Sequence, residues 1–216
     1  MMQMITKTSP KSLSGKEMTE FKNPISKLPH FKKNYRDKDT TTTVRAIRVE
    51  DIPPVVRMAY SIWTKEYQIG NENLTHTKVK DNIYSVLGRS NPIILVAEQN
   101  EMVIGFVWGY DLYKDKYPQL NNHLTNGKYK HVGYINEIAV DPNFRGLGIA
   151  GKLLDCYEQV SKRKGVDDLV LDTINPIALR LYKREHYIPI IDPISKQKLF
   201  DKVKMGNFLF LHKKMD

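Results

Sequence analysis

The sequence predicts an α/β fold in which a mixed central β-sheet is flanked by helices. Three observations predict it. Strand and helix patterns alternate along residues 44–212, two strands joined by Gln99-Asn100-Glu101 read as an antiparallel hairpin, and a strong apolar strand ending at Val140 runs through a glycine-containing turn into a long amphipathic helix. Hairpins give antiparallel neighbours and strand-helix-strand crossovers give parallel ones, so one sheet holds both kinds of pairing.

The elements follow in chain order. Residues 44–49 alternate enough for a first strand. Glu50-Asp51 followed by Pro53-Pro54 marks a helix start, because proline is tolerated where the amides have no helical partner. Val55, Met58, Ala59, Ile62 and Trp63 then recur at helical spacing as a core stripe. A second helix runs over 75–87 through Val79, Ile83, Val86 and Leu87 and stops at Gly88. The hairpin strands are 93–98 and 102–108. Residues 110–130 are polar and rich in Tyr, Asn and Lys, an irregular segment of the length that is often functional. The apolar strand 134–140 follows, then a helix over 148–164 with Ile149, Leu153, Leu154, Tyr157 and Val160 on its apolar side. Residues 169–173 form a strand and 176–184 a short helix. Residues 187–190 and 207–212 are the last strands, joined by a basic connection.

Composition bounds what this domain does. The chain has 216 residues, 41% of them hydrophobic and 27% charged, which suits one globular core and excludes collagen-like or wholly disordered classes. Cys156 is the single cysteine, so neither an internal disulfide framework nor a multi-cysteine metal cage is available, and a reducing, cytoplasmic compartment is expected. The six histidines form no short ligand pattern, so no metal site is expected. Apolar runs such as 208–211 are too short to cross a bilayer, and residues 1–30 lack the continuous apolar stretch of a secretory signal. The formal net charge of +10 favours a polyanionic partner: nucleic acid, acidic lipid or a phosphorylated cofactor. Residues 1–40 hold nine basic and four acidic side chains, half of that net charge. Residues 1–42 therefore read as a basic polar extension and 43–216 as the functional domain.

The chemistry concentrates in Ile138-Ala139-Val140-Asp141-Pro142-Asn143-Phe144-Arg145-Gly146-Leu147-Gly148-Ile149-Ala150. A buried strand entering a turn of small residues that opens a helix brings unpaired amides together beside the helix's positive end, a site suited to a pyrophosphate. Arg145 adds a charged donor, and Gly146 and Gly148 allow close approach to the backbone. The same glycines also suit a tight ligand-free connection. Neither a dinucleotide fingerprint nor a Walker A loop is present, because the three-glycine spacing and the terminal Gly-Lys-Ser/Thr are both missing.

On these residues the sequence resembles the GCN5-related N-acetyltransferase (GNAT) superfamily. The signature Gln/Arg-x-x-Gly-x-Gly/Ala matches as Arg145-Gly146-Leu147-Gly148-Ile149-Ala150, and Asn175, Ala178, Leu181-Tyr182 and residues 183–187 resemble the family block Asn-x-x-Ala-x-x-Leu-Tyr-x-x-x-Gly-Phe. His186 replaces the usual Gly and Tyr187 the usual Phe, departures that bear on the turn before the next strand. The resemblance implies the acyl-CoA N-acyltransferase fold and acetyl-CoA as cosubstrate. It implies that Ile138, Ala139 and Val140 line the pantetheine, that the amides of Arg145 to Ala150 hold the pyrophosphate, and that Asn175 hydrogen-bonds near the pantetheine arm. Tyr182 takes the position of a general acid near the coenzyme sulfur, and Glu137 that of a carboxylate base acting directly or through water. Tyr134 shares the strand parity of Asn136, opposite to Glu137, so they need not share a cleft. His131 is a lesser candidate base, and Cys156 reads as buried filler rather than a nucleophile.

The acceptor is less legible. In this fold it is shaped by three segments, here 63–73, 110–130 and 196–206. The first holds Trp63, Glu66 and Tyr67, and Trp108, Tyr110, Asp111, Tyr113 and Asp115 lie in or beside the second, aromatics and acids able to hold an ammonium. An amine-bearing small molecule or protein is the expected acceptor, transfer being direct. A noncatalytic acyl-CoA sensor and an RNA-associated acetyltransferase acting on aminoacyl-tRNA are the other readings; the last needs a continuous basic path into the acyl site. Relatives of this kind dimerise, but no sequence feature assigns a homodimer.

Overall fold

Helices begin here where the local sequence satisfies or dispenses with the first amides. The computed structural model describes residues 24–36, 40–65, 74–112, 117, 120, 131–203 and 206–215. Among them the strands are β1 (Lys32–Arg36), β2 (Thr41–Ala46), β3 (Ile93–Gln99), β4 (Met102–Asp111), β5 (Val132–Val140), β6 (Asp168–Thr173), β7 (Ile188–Pro189), β8 (Phe200–Val203) and β9 (Gly206–Lys214). The α-helices are α1 (Ile52–Lys65), α2 (His76–Leu87), α3 (Ile149–Arg163) and α4 (Pro176–Arg184). A short 3-10 turn, Val49–Asp51, precedes α1, and its Asp51 carboxylate accepts from the Arg48 amide at 2.7 Å. Thr75 caps α2 by accepting from the Lys78 amide, and Asn175 caps α4 through the Ile177 and Ala178 amides.

The sheet runs β1-β2-β3-β4-β5-β6-β9-β7, with β8 added along β9. Every pairing is antiparallel except β5 with β6, where α3 makes the crossover. The expected stripes of α1 and α2 pack on one face with Val96, Phe106, Trp108 and Tyr134. The stripe of α3 packs on the other with Leu95, Val107, Ile135 and Leu171. Leu153 and Leu154 are fully buried there, each contributing about 1.5–3 kcal/mol.

Two elements depart from the sequence reading. Residues 32–36 lie within the segment read as an extension, yet β1 pairs along the whole of β2 and forms the sheet edge. Its sequence, Lys-Lys-Asn-Tyr-Arg, lacks apolar alternation because the strand is held by polar contacts to α3 rather than by a core face. The basic connection before the last strand contains β8 and a bridge between Ile191 and Lys198. Residues 1–23, 66–73 and most of 113–130, with Glu66, Tyr67, Tyr113 and Asp115, lie outside the described residues.

Candidate functional site

Two irregularities of β5 make the site. Successive residues Trp108 and Gly109 of β4 pair with Glu137 and Ile135, so Asn136 is an extra residue, a β-bulge. Gly109 faces it of necessity, since a Cβ there would overlap the Tyr134 carbonyl and the Tyr157 hydroxyl. The bulge reverses side-chain parity. Tyr134 and Glu137 therefore share the face covered by α1 and α2, where Glu137, 5% exposed, accepts a hydrogen bond from Trp63 Nε1 at 3.1 Å. Simple alternation put them on opposite faces, and the inserted residue is the reason it failed.

The second irregularity is a splay. β5 pairs with β6 only at Val132, Gly133 and Tyr134, and the strands then part, leaving the edge from Ile135 to Val140 without a partner in β6. Asp141 donates its amide to Ile104 across β4 at 2.9 Å. The trans peptide then turns the Val140 carbonyl toward the splayed edge, and two residues back Ile138 faces the same way. Arg145 Nε reaches that Val140 carbonyl at 3.2 Å and fixes the turn beneath the strand end.

Beyond it Gly146 and Gly148 adopt φ of +81° and +73°, and Gly148 is the N-cap of α3. Their left-handed geometry suits glycine, and the space where a Cβ would stand is open at both. No acceptor among the described residues takes the amides of Gly146, Leu147, Gly148, Ile149, Ala150 or Gly151. These donors converge at the positive end of a fifteen-residue helix.

Tyr182 is placed by the end of α4. His186 takes a left-handed φ of +68°, the conformation of the glycine it replaces, and the Tyr187 and His186 amides donate to the carbonyls of Tyr182 and Lys183. This is a Schellman closure, and its apolar contact is Tyr182 against Tyr187, rings 5.7 Å apart. The His186 departure therefore leaves the turn intact. The buried Tyr182 phenol is raised well above its ordinary pKa by burial first and then by the charges of Glu137 and Asp172. Tyr182 and Glu137, on different elements and different faces, thus lie within electrostatic reach of each other at the splay. Asn175 spends its Oδ1 on capping α4, and its Nδ2 is the end left to donate.

The lesser candidates are structural. His131 Nε2 meets Asp111 Oδ1 at 2.6 Å and its Nδ1 meets the Gly165 carbonyl at 3.2 Å, so the ring clasps three connections. Burial pushes the Cys156 thiol up, away from the thiolate, and its sulfur meets Tyr35 Oη at 3.1 Å. Sequence reading missed Asp172, which shares the face of Val170 and accepts from Tyr134 Oη at 2.5 Å. Its signal was a charged residue at an inward parity of β6.

Comparison with known proteins accords with this geometry. The profile of the acetyltransferase (GNAT) family matches residues 56–187. The chain belongs to the GNAT family. Acetyltransferase Atu2258 of Agrobacterium fabrum is 35% identical over 81 residues, covering 35% of this chain and 59% of that protein. A GNAT acetyltransferase of Staphylococcus aureus Mu50 superposes with a TM-score of 0.59 at 18% identity, covering 81% of this chain and 99% of the other. YncA of Salmonella typhimurium, a structure with acetyl-CoA, gives 0.58 at 16% identity with coverages of 81% and 94%. PaiA of Thermoplasma acidophilum, in complex with coenzyme A, gives 0.56 at 16% with coverages of 80% and 98%. These share the GNAT fold, whose cosubstrate is acetyl-CoA. The six acceptorless amides and the splayed edge of β5 fit a diphosphate joined to a long amide-bearing arm.

Proposed function

We propose that this GNAT protein is an N-acetyltransferase that moves the acetyl group of acetyl-CoA directly to a primary amine of a small molecule or protein. The observation that carries the reading is the parting of β5 from β6 beside Glu137, next to the turn of acceptorless amides. When bound, acetyl-CoA supplies a thioester whose carbonyl is open to attack by an uncharged amine. The amides of Gly146 to Ala150 bind the pyrophosphate, that of Arg145, expected from the sequence to join them, donating instead to the Pro142 carbonyl; Ile138 to Val140 line the pantetheine arm by main-chain contacts, and Asn175 donates from Nδ2. Glu137 takes the proton from the incoming ammonium, directly or through one water, while the Trp63 indole holds its carboxylate in place. Tyr182, held protonated by its surroundings, gives its proton to the departing sulfur. Buried Cys156 has no part in the reaction and suits a reducing, cytoplasmic setting.

Calorimetric titration with acetyl-CoA, paired with thiol release against amino acids, small amines, aminoglycosides and Lys-containing peptides, tests the reading. Coenzyme binding with amine-dependent thiol release is expected. Absence of coenzyme binding overturns it, and binding without release for any acceptor points instead to a sensing domain.

A further inference from the structure

The chain carries a net charge of +10, yet the face of the sheet that holds Glu137 presents a second carboxylate beside it. Leu169 and Leu171 of β6 point into the α3 face, and Val170 points into the α1 and α2 face. Asp172 has the parity of Val170, and the Tyr134 hydroxyl, also on that face, donates to its Oδ1 at 2.5 Å. Because β5 and β6 part after Tyr134 and Val170, Glu137 and Asp172 stand on the two banks of the splay with no ladder between them. Both charges oppose ionisation of the Tyr182 phenol.

Asp172 is held there deliberately. Tyr134 is fully buried, and its phenol is raised well above the ordinary range by burial and by the Asp172 charge, so the phenol keeps its proton and donates it in the hydrogen bond. Tyr117 meets the Tyr134 hydroxyl at 2.8 Å, and the rings of Tyr117 and Tyr110 lie 5.4 and 5.9 Å from that of Tyr134. This aromatic cluster holds one carboxylate on the β6 side of the splay. A purely structural tyrosine–aspartate contact needs neither the parting of the strands nor a second carboxylate on the other strand.

We propose that Asp172 is an acceptor-binding residue: with Glu137 on the opposite bank of the splay, it draws in and orients the acceptor as a cationic ammonium. The proposal rests on the acetyltransferase reading and adds the acceptor's charge class to it. Glu137 removes the proton, and Asp172 supplies the attraction that persists while the cation docks. A local acidic pair thereby overrides the basic surface, and acceptors whose amine is cationic in solution are favoured over weakly basic aromatic amines.

The test uses the full chain with Asp172→Asn, which keeps an oxygen for the Tyr134 hydroxyl, and Asp172→Glu, which restores the charge. Acetyl-CoA affinity is read by calorimetry and acceptor kinetics by thiol release against lysine amide, putrescine, Lys-containing peptides and aniline. In Asp172→Asn the KM of the cationic acceptors is expected to rise about tenfold or more, a larger change than any in kcat. Coenzyme affinity stays at the wild-type value, the ionic-strength dependence of KM flattens, and Asp172→Glu recovers part of the loss. An unchanged KM and salt dependence in Asp172→Asn overturns the proposal and leaves the acetyltransferase reading standing. Preference for aniline over the alkylamines overturns it as well. Failure of the wild type to bind acetyl-CoA overturns the underlying reading instead.

Discussion

The Tyr182 phenol sits where burial and two carboxylates oppose its ionisation, so it stays a proton donor across neutral and alkaline pH. Its ring is pinned on Tyr187 by the closing turn of α4, which fixes the hydroxyl without a hydrogen-bonding chain of its own. Tyr182→Phe keeps the ring and removes the donated proton. Its kcat is expected to fall about a hundredfold or more with coenzyme affinity retained. Because the raised phenol is already protonated over the working range, the pH dependence keeps its shape and loses height. Steady-state rates between pH 6 and 9 check this; a wild-type rate in the variant removes Tyr182 from the chemistry. Glu137 is the opposite case, a buried carboxylate oriented by the Trp63 indole.

At the level of elements, the turn from β5 into α3 makes the sharpest claim. Gly148 caps α3 with a φ of +73° and open space around its missing Cβ, so an alanine there meets no clash, only the cost of left-handed backbone, about 1–2 kcal/mol. Relaxing that strain rotates the amides beside it. Gly148→Ala is expected to lower the melting temperature by a few degrees and weaken acetyl-CoA binding about tenfold. Gly151 lies inside the helix, where a Cβ would meet the flexible ends of Arg184 at 3.3 Å and Glu185 at 3.8 Å. Gly151→Ala should therefore be neutral or stabilising by up to about 1 kcal/mol, and equal damage from both would refute the conformational argument. This turn, the four described helices and most described strands were legible because their signals are local: caps, glycines and apolar stripes. The bulge at Asn136 was not, since it depends on Gly109 admitting the Tyr134 carbonyl from another strand. The error in parity hid the company of Glu137 and left Asp172 unread. β1 escaped for a related reason: its partners Asp155 and Cys156 are 120 residues away or more.

For the molecule as a whole, β1 joins residues read as an extension to the body of the fold. It completes the edge of the sheet along β2, and its two inward-leaning side chains, Lys33 and Tyr35, both reach Asp155 of α3, at 2.8 and 2.6 Å. Sheet edge and helix are thereby tied on the face that ends in the amide turn. Burial alone would raise the Asp155 pKa, but hydrogen bonds from Lys33, Tyr35 and Gln159 outweigh it and hold the carboxyl below its ordinary value. A carboxyl depressed in the folded state contributes stability above its unfolded pKa and loses it as the pH falls through the folded value. Tyr35→Phe keeps the ring under the Lys33 and Lys152 ammonium groups while removing its bond to the carboxylate. It is expected to cost about 1–2 kcal/mol near neutral pH, the range for a hydrogen bond to a charged group that is partly exposed. The gap between wild type and variant should narrow as the solution is acidified below the carboxylate range, because Asp155 is then protonated in both. Urea denaturation at pH 7 and at pH 3 measures it. A gap that persists unchanged into acid would mean that the Tyr35 hydroxyl acts through Cys156 Sγ and the Lys152 carbonyl, with the carboxylate a bystander.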